Sequence, residues 1–285
     1  MPRKHVQVFT SRGEVVPASS QALSGLDFPS NIGTPDNDQS VRFKFTGAAL
    51  LPIYGTSGAG VTYLWKYRPR QQTGYYTCFF WGNDDGIGNA ATFEWSGGTG
   101  ASYYGAHPFP EDFTGFDTDH LWEIAIENTD TVDTELVVKD VWYSQAFRGW
   151  GAAGVAKQNE YYWNLPDLTN AKVTHTTVSS TWGDNAPPFP ALTFADAPWN
   201  PSQERASGVL RGIQIYNALL TTDQINILEA CETDAEVLAA ISANSIPGLW
   251  YLNMNPADAS DISDKSGEGH HPAWWNANRP THWTA

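Results

Sequence analysis

The stretch GVLRGIQIYNALLTTDQINIL at residues 208–228 leads, after a short helical segment, into GLWYLNMNP at 248–256 and ISDKSGEGHH at 262–271. Apolar residues alternate up to Tyr216 and Asn217, which predicts a strand that ends there. Thr221 or Thr222 then predicts the N-cap of a helix, and a Thr-x-x-Glu capping box at Thr233 predicts a second helix. A second strand and a Gly-rich turn follow. This order is typical of the closing part of an all-β sandwich.

The segments upstream have the same strand-like character. Val41, Phe43 and Phe45 alternate with Arg42 and Lys44, as in a half-buried antiparallel strand. Two pairs of such runs predict hairpins, 61–68 with 75–81 and 121–127 with 135–143. Since no regular helix separates the strands, an antiparallel β-sandwich or jelly roll is favoured over a βαβ fold.

The expected organisation is one domain with an arm. Residues 1–25 have no sustained period and predict an N-terminal arm or linker, and residues 26–285 predict the jelly-roll domain. Around 150–205 the alternation weakens and Pro-rich stretches interrupt it, which predicts an irregular insertion.

Charge and composition exclude several classes of function. The formal net charge is −15 and the isoelectric point is near 4.7, so we expect no nucleic acid as a partner. No stretch approaches the roughly 20 apolar residues of a membrane span, and no secretory signal is visible. Cys78 and Cys231 predict two buried thiols rather than a disulfide, as expected for folding in a reducing cytoplasm.

The segments 121–127, 135–141 and 212–225 together resemble the concanavalin A-like, laminin-G-type jelly roll. In that family a late strand of the form hydrophobic-x-hydrophobic-Tyr-Asn-x-x-Leu leads into a short helix, as here before Leu220. The closing segments 250–256 and 264–271 are similar to those of such domains in phage and prophage virion proteins. The resemblance implies the fold, and it leaves the function open because this fold supports lectins, lyases, glycosidases and structural modules.

Two catalytic patterns of the family are incomplete in this sequence. Glu123 and Glu127 would lie roughly 13 Å apart on one face of a strand, beyond the ~5–9.5 Å of paired glycosidase carboxylates, and Ala125 stands where that branch needs Asp. The alginate-lyase pattern needs a Gln-Ile-His strand, whereas the chain has Gln214, Ile215 and Tyr216. We therefore expect a protein that is not an enzyme.

Calcium is the one cofactor that the resemblance implies, since laminin-G-like domains often bind this ion through loop carboxylates and carbonyls. The candidate ligands in this sequence form two sets, Asp84 with Asp85 and Asp258 with Asp261 and Asp264. The alternative for the first set is a simple Asp-Gly turn. The seven histidines, including adjacent His270 and His271, have no metal-type spacing.

Tryptophans in Pro- and Gly-rich segments are candidates for stacking on sugar rings. The candidates are Trp274, Trp275, Trp182 and Trp199. The alternative for each is packing at an end of the sandwich or at a protein–protein contact, and Trp65 and Trp250 are predicted to pack in the core.

Three functions remain open from the sequence. The leading prediction is a non-enzymatic virion structural protein, a capsid decoration or tail-associated protein that is oligomeric and contacts other virion proteins. Its predicted location is the virion, with an extracellular location as the alternative. The second is a calcium-dependent carbohydrate-binding module for a cell-surface glycan, and the third is a polysaccharide-degrading enzyme.

Overall fold

The computed structural model describes residues 23–30, 34, 36–46, 60–70, 74–83, 91–98, 101–108, 140, 142–150, 156–164, 175–181, 190–196, 202 and 206–285. Within them the chain forms two antiparallel sheets and two α-helices near the C-terminus. The strands are β1 Ser24–Phe28, β2 Phe43–Thr46, β3 Val61–Pro69, β4 Gly74–Asn83, β5 Ala91–Gly98, β6 Ala101–Pro108, β7 Tyr143–Trp150, β8 Ala156–Asn164, β9 His175–Thr181, β10 Pro190–Phe194, β11 Gly208–Tyr216, β12 Leu249–Asn253, β13 Ala273–Trp274 and β14 Thr281–Thr284.

Sheet A is the larger sheet and has the order β14-β1-β11-β3-β7-β8-β9. Its central strand β11 pairs with β1 through residues 208–210 and with β12 through residues 213–216. A bulge around Gly212, whose φ is +67°, separates the two halves. The bulge changes the alternation of side chains, so Arg211 and Gln214 point to the same face.

Sheet B has the order β13-β2-β10-β4-β5-β6. The core between the sheets is aromatic: Phe43 of β2 stacks on Phe194 of β10 with ring centroids 5.2 Å apart. Phe45 crosses to sheet A and packs against Tyr251, with centroids 5.0 Å apart. These contacts confirm the predicted antiparallel β-sandwich, and the arrangement is consistent with a jelly roll.

Helices α1 (Thr222–Glu229) and α2 (Asp234–Asn244) form a helix layer on the outer face of sheet A. Thr221 and Thr233 are their N-caps, each with the reciprocal capping box that the sequence predicts for Thr233. Leu64 of sheet A is buried against this layer, whereas the neighbouring Trp65 is buried on the opposite face. Within the described residues no helix is long and apolar enough to cross a membrane.

The two segments predicted to form the first hairpin lie in different sheets. Strand β3 pairs with β11 and β7 in sheet A, and β4 pairs with β10 and β5 in sheet B. The hairpin prediction is therefore wrong. Alternation shows which side chains share a face, but it does not identify the neighbouring strand, and here the chain crosses from one sheet to the other between β3 and β4.

Two further predictions differ from the structure in detail. Strand β1 begins at Ser24, so the last two residues of the predicted arm belong to it. The range 150–205, predicted to be irregular, contains β8, β9 and β10. Strands β8 and β9 are rich in Asn, Tyr and Thr and lack apolar–polar alternation, so the period-2 signal misses them, and β10 has only five residues and lies in a Pro-rich stretch. The second predicted hairpin falls largely on 121–139, outside the described residues.

Candidate functional site

The chain after β12 connects the edges of both sheets. Strand β13 adds to the edge of sheet B by pairing Trp274 with Phe43, and β14 adds to the edge of sheet A by pairing with β1. Between β12 and β13 lies a loop, 257–271, which we call the Asp-Ser loop. Both aromatic candidates that the structure describes, Trp274 and Trp275, follow this loop.

The Asp-Ser loop contains three successive Asp-x-Ser units. Asp258 Oδ1 accepts hydrogen bonds from the backbone N and hydroxyl of Ser260, at 2.7 and 2.6 Å. Asp261 and Ser263 repeat this pattern, and Asp264 with Ser266 repeats it again. Each unit is a small turn in which the carboxylate replaces a backbone acceptor.

The third unit also joins the loop to sheet A. The carboxylate of Asp264 accepts from the backbone N of Leu252, Gly269 and His270, at 3.1, 2.9 and 3.0 Å. Burial would raise the pKa of Asp264, but the hydrogen bonds outweigh it and the pKa lies below its ordinary value. This carboxylate therefore has a structural role, because donors of the chain already surround it.

The predicted calcium ligands have different outcomes. Within the described residues, no group of three or more His, Cys, Asp or Glu side chains could hold a metal ion, and this includes Asp258, Asp261 and Asp264. Besides its turn, Asp261 forms an ion pair with Lys265 at 3.2 Å. The other set, Asp84 and Asp85, lies outside the described residues, and so do Trp182, Trp199, Glu123 and Glu127.

The two adjacent histidines have structural contacts. His270 stacks on the buried Trp250, with ring centroids 4.1 Å apart and an interplanar angle of 13°. His271 accepts a hydrogen bond at Nδ1 from the backbone N of Asp264, at 3.0 Å. Both rings therefore help to close the Asp-Ser loop against the sandwich.

Trp274 is half-buried at the edge of sheet B. Its ring meets Phe43 edge to face with centroids 5.4 Å apart, and its Nε1 donates to the carbonyl of Ser260 at 3.0 Å. The guanidinium of Arg279 lies over the ring, 4.8 Å from its centroid. Most of the Trp274 contacts are therefore packing contacts at the edge of the sandwich, which is the alternative to sugar stacking predicted for this residue.

Trp275 is on the opposite side of the same edge and is 36% exposed. Its backbone N donates to the carbonyl of Arg42 at 2.9 Å, which fixes its position beside β2. The guanidinium of Arg42 lies 4.1 Å from the ring centroid and the ammonium of Lys44 lies 4.6 Å from it. Arg42 is only 3% exposed, whereas 36% of the surface of Trp275 stays open to solvent.

The loop after Trp275 is anchored to the segment 36–40. Asn276 Nδ2 donates to the carbonyl of Ser40 at 3.0 Å, and Asn278 Nδ2 donates to the same carbonyl at 3.2 Å. The backbone N of Asn278 in turn donates to Asn276 Oδ1 at 2.8 Å. We call β13, Trp275 and residues 276–279 the Trp edge; its conformation is fixed by these contacts.

The side chains of Gln214 and Tyr216 occupy the positions of Gln and His in the Gln-Ile-His strand of alginate lyases, and both are buried beneath the helix layer. Tyr216 donates its hydroxyl to Gln214 Oε1 at 2.7 Å, and burial raises the pKa of this tyrosine well above its ordinary value. A substrate has no access to this face of β11. The pair therefore cannot perform proton transfer on a polysaccharide.

Sequence reasoning missed the cations of the Trp edge and the repeated turns. Arg42 and Lys44 appear in the sequence only as the polar face of a strand, and Arg279 belongs to no motif. A signal for the turns was present, since Asp-x-Ser occurs three times in succession from residue 258. The contacts of Arg42 and Lys44 with Trp275 depend on pairing between strands about 230 residues apart, which the sequence does not reveal, whereas Arg279 lies only five residues from Trp274.

No protein-family model matches this sequence, and no curated protein matches it. Several solved structures are similar to this chain at low identity. A "putative carbohydrate binding protein" from Bacteroides ovatus is 11% identical, with 92% of this chain and 60% of that chain covered and a TM-score of 0.45. This chain thus spans 60% of the length of that protein.

Two viral proteins are also similar in structure. The enzymatically active domain of tailspike protein 2 from bacteriophage CBA120 is 14% identical, covers 87% of this chain and 35% of its own, and has a TM-score of 0.35. The alginate lyase vAL-1 from Chlorella virus is 12% identical, covers 69% of this chain and 98% of its own, and has a TM-score of 0.34. The class of this protein is accordingly an antiparallel β-sandwich, as its strand order shows.

Proposed function

We propose that this chain is a non-catalytic glycan-binding domain and that Trp275 is its sugar-stacking residue. The observation that carries the proposal is an indole that is 36% exposed and whose backbone is fixed beside β2. The flat face of an indole packs against the apolar C–H face of a sugar ring, while its surroundings supply polar contacts. A platform that is already ordered loses little conformational entropy on binding.

The residues around Trp275 support binding rather than catalysis. Arg42 and Lys44 contact the ring, and Arg279 lies at the neighbouring Trp274. Glycoside hydrolysis needs two carboxyl groups that flank the bond to be cleaved, and among the described residues the side chains in contact with these indoles supply none. The exposed Arg279 supplies donors for sugar oxygens beside two indoles, and donors next to an aromatic surface are the elements of a lectin-type contact.

The proposed contact at Trp275 does not use calcium. The Asp-Ser loop directs its carboxylates to its own N–H and O–H groups. A calcium-dependent mode would use ligands outside the described residues, such as the predicted Asp84 and Asp85. The virion structural role, with virion proteins as partners, stays a prediction from the sequence.

The test is a glycan array followed by calorimetry on the best ligand. Trp275→Ala should weaken binding by about 30-fold, the effect of losing about 2 kcal/mol at a central aromatic contact. The matched control is Trp283→Ala, because Trp283 is a half-buried indole at the edge of the other sheet, packed on Trp142 with centroids 5.2 Å apart. This control should bind like the wild type.

Two results would contradict the proposal. Either no glycan binds to the wild type, or Trp275→Ala binds as well as the wild type. The same titration in EDTA distinguishes the two modes of glycan binding. Unchanged affinity supports a site made of Trp275 and its neighbours, and complete loss assigns the ligand to a calcium site elsewhere.

A further inference from the structure

Arg279 is an exposed arginine whose guanidinium is already oriented. Its Nη1 donates to the carbonyls of Asn276 and Asn278, at 2.6 and 2.7 Å. Its Cζ lies over the ring of Trp274, 4.8 Å from the ring centroid. Arginine stacks on aromatic faces in this way because its charge is delocalised and weakly hydrated.

The two asparagines that hold Nη1 are themselves held. Asn276 Nδ2 donates to the carbonyls of Asn37 and Ser40, and Asn278 Nδ2 donates to those of Asp38 and Ser40. The guanidinium of Arg279 is thus held by Asn276 and Asn278, and both asparagines are in turn held by the segment 36–40. Less rotamer entropy remains to be lost when such an arginine binds a ligand.

The other edge of the guanidinium is open. In the part of the chain that the structure describes, Nε and Nη2 of Arg279 form no hydrogen bond and no carboxylate forms an ion pair with it. These two nitrogens point the same way and are spaced to donate two parallel hydrogen bonds to one carboxylate. The edge is therefore a ready receptor for a planar anion.

An exposed cation can bind an anion here although the chain as a whole is acidic. The net charge of −15 is spread over 285 residues, and physiological salt screens charges beyond about 8 Å. Arg279 is the exposed cation of the Trp edge, whereas Arg42 is buried and donates to Ser40 Oγ at 2.9 Å. Asp36 and Asp38 lie in the adjacent segment 36–40, so the attraction comes from the guanidinium of Arg279 itself.

We propose that the Trp edge selects acidic sugars, with the carboxylate of a uronic or sialic acid type of residue bound side-on by Nε and Nη2 of Arg279. Stacking of a sugar ring on Trp275 provides the neutral part of the contact. This inference rests on the proposed glycan-binding function and specifies the ligand class. Trp274, Asn276 and Asn278 are positioning residues that hold the guanidinium.

The test compares an acidic oligosaccharide with the same oligosaccharide after reduction of its carboxyl groups. Calorimetry should show at least about a tenfold preference for the acidic form, as expected for a charge-assisted bidentate pair. Arg279→Lys keeps the charge and removes the fork, so it should lose about tenfold affinity for the acidic form and bind the reduced form unchanged. Arg68→Lys is the control, since Arg68 lies on sheet A and pairs with Asp140 at 3.4 Å.

The outcomes separate the two proposals. If both oligosaccharides bind equally and Arg279→Lys has no effect, but Trp275→Ala still abolishes binding, the anion receptor is overturned and the glycan-binding function stands. If a sulfated oligosaccharide is preferred over the carboxylated one, the assignment to carboxylates is overturned. If neither form nor any other glycan binds, the proposed function itself fails.

Discussion

Two regions of the molecule place cations against a β-sheet, and they do so for different purposes. Beneath the helix layer, Lys66 donates to the carbonyl of Cys231 at 2.7 Å and to the carboxylate of Glu232 at 2.8 Å. Arg211 donates to the carbonyl of Glu232 at 2.7 Å and forms an ion pair with the Glu232 carboxylate at 2.9 Å. We call these residues the buried ion cluster. At the Trp edge, Arg279 retains an open pair of donors.

The difference shows how surroundings decide the role of a charged side chain. Burial lowers the pKa of Lys66, and the Glu232 carboxylate opposes that shift. A buried cation needs a partner carboxylate in order to remain charged. The ion pairs of Lys66 and Arg211 with Glu232 therefore attach the start of α2 to sheet A. Around the Trp edge solvent supplies that compensation, and the donors remain available to a ligand. The following predictions are ordered from the largest expected effect on stability.

Removing the shared acid should have the largest effect. Glu232→Gln leaves the buried Lys66 and Arg211 with no carboxylate in their cluster, and we expect a loss of about 3 kcal/mol in the free energy of unfolding. Urea denaturation at pH 7 measures it. Glu268→Gln, an exposed position in the Asp-Ser loop, is the control and should unfold like the wild type. If the two variants lose equally little, the ion cluster does not stabilise the helix layer.

Asp264→Asn should have the next largest effect, a loss of about 2 kcal/mol in the free energy of unfolding at pH 7. The reason is that an amide nitrogen cannot accept the hydrogen bonds that Oδ2 accepts from Ser266, Gly269 and His270. The folded pKa of Asp264 is below its unfolded value of about 3.9, so its stabilisation is present above that pH and is lost as pH falls through the folded pKa. Denaturation of both proteins at pH 7, 5 and 3 should show the difference shrinking below about pH 4.

Asp258 provides a matched control for the Asp264 variant. Asp258→Asn removes a carboxylate that is bonded only within its own exposed turn, so its effect should be clearly smaller. Equal effects of the two variants would mean that the bonds from Asp264 to β12 and to the end of the loop add nothing.

The smallest effect is expected at a helix cap. Thr233→Ala removes the hydroxyl that accepts from the backbone N of Glu236 at 3.2 Å, and should cost about 1 kcal/mol. Thr233→Ser retains the acceptor and should restore most of that loss. Thermal unfolding of the three proteins measures both changes. A serine variant as unstable as the alanine variant would show that the methyl group, and not the cap, is responsible.

Much of the fold could be predicted from short-range signals. The strand 208–216, both capped helices and the strand at 249–253 follow from alternation and capping residues within one segment. Predictions of strand partners were less successful, because β3 and β4 are neighbours in sequence but pair in opposite sheets. Nor does alternation reveal that β3 is covered on both faces, by sheet B and by the helix layer.

The candidate site was predictable only in its aromatic residues. Trp274 and Trp275 stand out in the sequence as loop indoles, but their different roles depend on which side of the edge strand each one occupies. The Asp258, Asp261 and Asp264 set is visible as a group of acids. The structure gives those acids turn donors, and the three successive Asp-x-Ser units are the sequence signal for these turns.

By itself, the sequence determined the all-β class, the two capped helices and the acidic charge. The strands and helices depend on alternation and capping residues within a few positions, and the net charge depends only on composition. Only the tertiary structure decided that β13 pairs with β2, and so that Arg42 and Lys44 meet Trp275. Contacts between residues more than two hundred positions apart depend on sheet topology. Topology is set by the packing of the whole sandwich rather than by any single segment.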